Sequence, residues 1–436
     1  MSKVGIYLFF ALLLAGYLND WSMRLMGGKA YLSTVTVVLV PVVWLASGQA
    51  LKGLRDKIGI WWIGFLLLML MGVPFSYWKS GSLSLISTYS FRSFILYFYI
   101  VTFVSTVARC RSLMMLNVVC SVIVLLTCAT FGSSGGGGER FQIADSIFFA
   151  NSNELGLQLL LGMTFFLFLF YLGGVLRIIL GLAGLLLSFS YMIKTGSRGC
   201  LLSAILLFVT VFVLSKKKGQ ITLVFVPLMI IGLVLSPAAS LRRLSLIFQS
   251  NPQGALSESD LSSLGSSSER QELLRKGVMY TVTHPIFGVG AGQFAVAVAG
   301  DAAKTGQHEA WLGTHNSYVQ VSAECGIPAF ICYVAVILAG LNRIYRVFRL
   351  SQGKPEFRDI EGLAFSLLCG LVVYAFATFF FHMAYTGLLP LLTGQIVALS
   401  NAAEPLFKAR MVKVNESLAP GIRPNVWMPP ALSPAR

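Results

Sequence analysis

The stretch GTHNSYVQVSAECGIP, Gly313 to Pro328, sets an imidazole and a carboxamide side by side, His315 and Asn316, where a long polar region gives way to an apolar run ending at Leu341. Asn316 or Ser317 is suited to cap a helix beginning there, which leaves His315 just outside its first turn. The positive end of that helix dipole disfavours an added proton, so the ring is expected to stay neutral and able to act as a base. An interfacial histidine that only hydrogen-bonds is the plain alternative. Glu324 lies nine positions on, about half a turn round a continuous helix. It is therefore no direct partner for His315 unless the Gly326–Pro328 region distorts the span.

Arginines supply the complementary chemistry. Arg198 stands in KTGSRGCLLS between two apolar runs, with Gly196 and Gly199 beside it to allow a close approach. Arg242 and Arg243 follow in SLRRLSLIFQS, and Arg270 lies in ERQELLRKGVMYTVTHPIFGVGAGQF. A guanidinium offers a planar fork matched to phosphate oxygens, so several on one face point to an anionic substrate at a membrane surface. Snorkelling at Arg198, and a solvated loop helix at the others, are the bland readings. From Glu269 to Tyr280 the pattern suits a short amphipathic helix, with Leu273, Leu274 and Val278 apolar. HPIFGVGAG reads as a Pro/Gly turn, with His284 a turn residue. GVGAGQ lacks a dinucleotide-binding context, and Gly135 to Gly138 lack the Gly-Lys-Ser/Thr of a phosphate loop, so the latter read as a linker. In NSNELG, Asn151 or Asn153 is the expected cap of the next helix.

The elements that must position these groups are membrane helices. Hydrophobic residues make up 56% of the 436, charged residues 11%, and mean hydropathy is +0.77. Soluble domains carry about 25% charge. The apolar runs are about 20 residues, enough to cross a ~30 Å hydrocarbon core as helices, and they lack the period-two alternation of barrel strands. About twelve spans are expected, at roughly 4–18, 31–48, 58–75, 88–108, 112–131, 153–172, 174–192, 199–215, 220–237, 316–340, 361–382 and 385–402. The fold class is thus all-α integral membrane, residues 1–402 forming one polytopic domain. A helical loop region, 238–315, is inserted between spans nine and ten, and 403–436 form a Pro-rich tail expected to be disordered. The first segment reads as a retained span rather than a cleaved signal.

Basic residues orient the chain. With the N-terminus inside, Lys52, Arg55, Lys57, Arg109, Arg111, Arg177, Lys216 to Lys218, Arg343, Arg346, Arg349, Lys408, Arg410 and Lys413 all fall on the cytoplasmic side. The formal charge of +16 is then partly a topology signal, and no nucleic-acid partner is needed to explain it. Arg198, Arg270 and His315 come to the opposite face. The seven cysteines show neither a disulfide framework nor zinc spacing. No Asp-x-Asp motif or metal-ligand cluster is present, so neither metal nor cofactor is expected.

Taken together, TGSRG, the arginine at 270, HPIFGVGAGQF and HNSYVQVSAECGIP resemble the signature of the O-antigen ligase and polymerase superfamily, from about Asn153 to Leu341. Val319 stands where members often have Leu. The resemblance implies glycan transfer from an undecaprenyl-diphosphate carrier at the periplasmic face of a bacterial inner membrane. For a ligase the acceptor is a sugar hydroxyl of lipid A–core, and the product belongs to lipopolysaccharide. It implies His315 as base and Arg198 and Arg270 as diphosphate ligands; Arg242, Arg243 and Asn316 are further candidate substrate contacts read from their positions alone. A polymerase, or a protein O-oligosaccharyltransferase, would use the same donor. The ligase is preferred because the chain is compact, with no extra periplasmic domain expected after the last span. A secondary transporter would show ionisable or broken-helix features at midplane in related halves, and no such correspondence is visible here.

Overall fold

The computed structural model describes residues 2–25, 31–134, 140–144, 146, 149, 151–216, 218–234, 258–304, 306 and 312–417. Helices dominate: α1 (Ser2–Tyr17), α2 (Asn19–Leu25), α3 (Tyr31–Ala46), α4 (Lys57–Gly72), α5 (Lys79–Tyr89), α6 (Ile95–Phe103), α7 (Val107–Phe131), α8 (Ser152–Leu172), α9 (Val175–Lys194), α10 (Arg198–Leu214) and α11 (Lys218–Val234). They continue as α12 (Glu258–Thr283), α13 (Phe294–Lys304), α14 (Ser317–Ser351), α15 (Arg358–Ala377) and α16 (Leu388–Ser417). One two-stranded antiparallel ribbon pairs Gly132–Ser133 with Gln142–Ile143.

Among the described residues, six helical segments are long and apolar enough to cross a membrane, and a seventh if α1 and α2, bent by 60°, form one broken span. The expected segments near 58–75, 112–131, 153–172, 174–192, 316–340 and 361–382 are those six. The other expected segments are not among those six. Over the described residues, α3, α10 and α11 run to 16 or 17 residues, at or just under the lower end of the roughly 17–25 that a crossing takes. The segment expected at 88–108 is divided by a π-turn at Ser90–Phe94 and stops at Phe103. Past 402, where the tail was expected to begin, α16 continues to Ser417, supported by a Glu404–Lys408 pair one turn apart at 2.7 Å.

Sequence-encoded caps start the spans. Asp56 accepts the Ile58 amide ahead of α4, Thr106 that of Arg109 ahead of α7, and Asn151 those of Asn153 and Glu154 ahead of α8. The innermost helices are α8 and α15, with every residue from Leu155 to Leu169 buried and nearly all of Ile360 to Tyr374. Buried polar pairs tie the bundle: Trp62 Nε1 donates to Thr393 Oγ1 at 3.1 Å and Asn117 Nδ2 to Gln395 Oε1 at 2.8 Å.

The feature that matters most for the site is a break in α14. Gly326 sits at φ 83°, ψ 172°, and Pro328 has no amide to donate. Two carbonyls above the break thereby lose their helical donors, and residues 285–294 supply replacements. Val289 N donates to the Ala323 carbonyl and Gly290 N to that of Glu324, each at 2.9 Å. Ile327 N in turn donates to the Pro285 carbonyl at 2.7 Å. A Cβ on Gly326 would fall 2.2 Å from the Ile286 oxygen, so only glycine permits this docking. The Pro/Gly turn read in the sequence is thus the backbone graft that fixes α12 and α13 on α14.

Candidate functional site

His315 lies one residue before Asn316, which is the cap of α14: its Oδ1 accepts the amides of Tyr318 at 2.9 Å and Val319 at 3.1 Å. Ser317 is not the cap. Its hydroxyl donates to the Phe381 carbonyl at 2.6 Å and accepts the Met383 amide at 2.8 Å, while its own amide donates to Thr378 O at 2.8 Å. The turn between α15 and α16 is thereby stitched to the start of α14, and it brings His382 against His315. Their rings are 5.1 Å apart and nearly perpendicular, at 80°. His315 has φ 51°, the one non-glycine residue at positive φ among the described residues. A left-handed backbone costs a side-chain-bearing residue energy, and such outliers concentrate where geometry serves function.

Arg270 reaches the same end of the bundle from α12. That helix packs closely on α14 at Gly277, where a Cβ would fall 2.5 Å from Val319 Cγ1, and Thr281 and Ser322 share a 2.8 Å hydroxyl contact. Arg270 Nε is buried with no hydrogen-bond partner among the described residues. Burial and the neighbouring charge of Arg198 both lower its pKa. Arg198 opens α10 two residues after Gly196, which has φ 61°. A Cβ on Gly199 would lie 2.7 Å from Phe380 Cβ, so the start of α10 abuts the turn that carries His382.

Cations dominate this end, although Glu269 acts on Arg270 in the opposite sense. Burial first, then His382, Arg270 and Arg140, push the His315 pKa down to about 4, leaving a neutral imidazole at neutral pH. Burial and Arg270 lower that of His382 as well. The helix dipole invoked from sequence works in the same direction, but burial is the larger cause. Glu324 offers His315 no relief. Its carboxylate accepts from Gly292 N at 2.9 Å, Phe294 N at 3.4 Å and Tyr385 Oη at 2.7 Å, all across the α14 break.

His315, Arg198 and Arg270 are therefore brought together. Asn316 joins them with its side-chain oxygen engaged in capping. Arg242, Arg243 and the glycine run lie outside the described residues, and His284 sits in a turn against Tyr77 and Tyr280. Sequence reasoning missed two groups. Arg140, beside the glycine run, carries the same signal as Arg198, a cation on a loop expected to face away from the cytoplasm. His382 was counted inside an apolar span. Among the described residues no three His, Cys, Asp or Glu side chains cluster as a metal site.

The bundle is that of a multi-pass helical membrane protein, with a histidine of lowered pKa and several guanidiniums gathered at one end. Residues 183–334 match the O-antigen ligase family model, so this part of the chain is similar to that family. Arg198, Arg270 and His315 fall within the matched residues; Arg140 and His382 fall outside them. No curated protein matches the chain.

Proposed function

We propose that the protein is an O-antigen ligase, moving a glycan from undecaprenyl diphosphate onto a sugar hydroxyl of lipid A–core at the periplasmic face of the inner membrane. The observation that carries this reading is the meeting of a neutral His315 with Arg198 and Arg270 at one end of the bundle. The acceptor oxygen attacks the anomeric carbon, and its proton passes to the His315 imidazole. The bond from that carbon to the diphosphate oxygen breaks, and its electron pair leaves with the diphosphate. Arg198 and Arg270 stabilise the charge that develops there. A single displacement inverts the anomeric centre.

A base with a pKa of about 4 is weak in the empty site. Donor binding changes this, because the diphosphate offsets the cations that oppose protonation and raises the imidazole toward the working pH. No step in this scheme calls on a metal ion, and transfer should withstand EDTA.

The test uses purified protein in lipid nanodiscs with undecaprenyl-diphosphate-linked glycan, with and without lipid A–core. Transfer of the glycan as a unit onto lipid A–core supports the ligase. Carrier-linked chains that lengthen without the acceptor make it a polymerase, and glycan on a Ser or Thr of a protein makes it an O-oligosaccharyltransferase. Substrate movement into vesicles without any transfer would revive a transporter. Activity lost on chelation and restored by Mg²⁺ would overturn the metal-independent scheme.

A further inference from the structure

Arg140 lies ahead of the residues matched to the family, and the chemistry proposed above is complete without it. Its side chain nevertheless joins two helix ends. Nε donates to the Thr195 carbonyl at 2.8 Å, and Nη2 to Asn153 Oδ1 at 2.6 Å. The following residue reinforces this: Phe141 N donates to the Lys194 carbonyl at 3.2 Å, and its buried ring packs 5.4 Å from that of Tyr191. Thr195 is the C-cap of α9, and three residues later, past Gly196 and Ser197, Arg198 opens α10. Asn153 belongs to the first turn of α8. A guanidinium at the end of α9 satisfies a carbonyl that lacks a helical donor and complements the dipole.

Capping alone would make Arg140 structural. Its charge also reaches the reacting end. Three groups bear on His315, each from a different element: His382 from the α15–α16 turn, Arg270 from α12 and Arg140 from the segment before α8. We propose that Arg140 is a positioning residue for glycan transfer: it holds the α9–α10 turn that presents Arg198 and sets a third fixed positive charge over the site. This rests on the transfer reaction proposed above.

The experiment compares full-length wild type, Arg140→Gln and Arg140→Lys in nanodiscs, with two readouts. One is the NMR titration of ¹³C-labelled histidine, with the His315 signal among the four histidines assigned by its loss in His315→Ala. It requires no turnover. Arg140→Gln should move the His315 titration upward by roughly half a pH unit, because an opposing cation is gone. Arg140→Lys, which keeps the charge, should leave the titration near wild type. The second readout is transfer. Arg140→Gln should lower kcat/KM by about 10- to 100-fold through misplacement of Arg198, and the lysine variant should recover part of that loss.

An unmoved titration in Arg140→Gln, or equal behaviour of the Gln and Lys variants in both readouts, overturns the proposal and leaves Arg140 a helix cap. Should Arg140→Gln fail to assemble, the lysine variant decides. A wild-type titration with partly reduced transfer supports the proposal, and full transfer refutes it. Wild-type protein that transfers nothing, while Arg140→Gln still shifts the titration, overturns the reaction itself rather than the placement of the charge.

Discussion

The two ends of α14 carry the same kinds of side chain in opposite arrangements. Near its far end, Arg343 forms an ion pair with Asp56 and donates to Asn401 Oδ1 at 2.7 Å. Asp56 also caps α4, so charge there is matched and spent on joining three helices. At the near end Arg270 faces Arg198, and His315 is opposed by His382 and by two arginines. Like charges held together under partial burial are costly, and a bound anion of the kind proposed above would offset that cost. On the proposed function, this contrast distinguishes a structural arginine from a substrate-binding one where residue type cannot.

That contrast can be broken most directly at His315. His315→Ala should reduce transfer by about 10²- to 10⁴-fold while donor binding persists, the range for loss of a general base. Near-normal turnover would remove it from the mechanism. Arg198→Lys comes next, with about 10- to 100-fold lower kcat/KM, because an ammonium cannot make the bidentate contact. A fully active lysine variant would return Arg198 to a snorkelling role.

The pH profile sharpens the comparison further. A depressed histidine pKa means the ring stays unprotonated to lower pH. The acid limb of kcat/KM for free enzyme should therefore lie near pH 4, below an ordinary imidazole limb. At pH 5.5 this preserves about tenfold more activity than a pKa of 6.5 would allow. A limb at 6.5 would show that the cations do not act on His315. The smallest effect on chemistry is expected at the matched end. Asp56→Asn should leave kcat at wild-type level, yet lower thermal stability by on the order of 1–3 kcal/mol, because Arg343 loses its counter-ion in a mostly buried setting. A thermal melt beside a rate measurement separates the two, and a loss of kcat without a loss of melting temperature would erase the distinction between the ends.

Much of this was legible in the chain. The helical membrane class follows from composition, and Asn151 and Asn316 were both among the expected caps. Arg198 could be picked out because it violates the charge bias of membrane loops, and His315 because it stands at a polar-to-apolar edge. Other features depend on tertiary contacts. The Gly326–Pro328 region was visible as a possible distortion, but its partner, residues 285–294, becomes evident only when Val289 and Gly290 are seen donating to freed carbonyls. His382 was hidden because an apolar run does not announce that its helix stops at Ala377. Arg140 carries the same charge signal as Arg198, but its contact with Thr195, 55 residues on, shows only in the fold.

The grafted turn also bears on how the protein breathes. Residues 285–294 lack regular secondary structure for most of their length, yet Val289, Gly290 and Gly292 spend their amides on carbonyls or a carboxylate of α14. Those protons cannot exchange with deuterium until the graft itself opens, whereas an ordinary loop of this composition would exchange freely. In a deuterium-uptake map this irregular stretch should stand out as a slow island, its lifetime tied to that of the neighbouring helix.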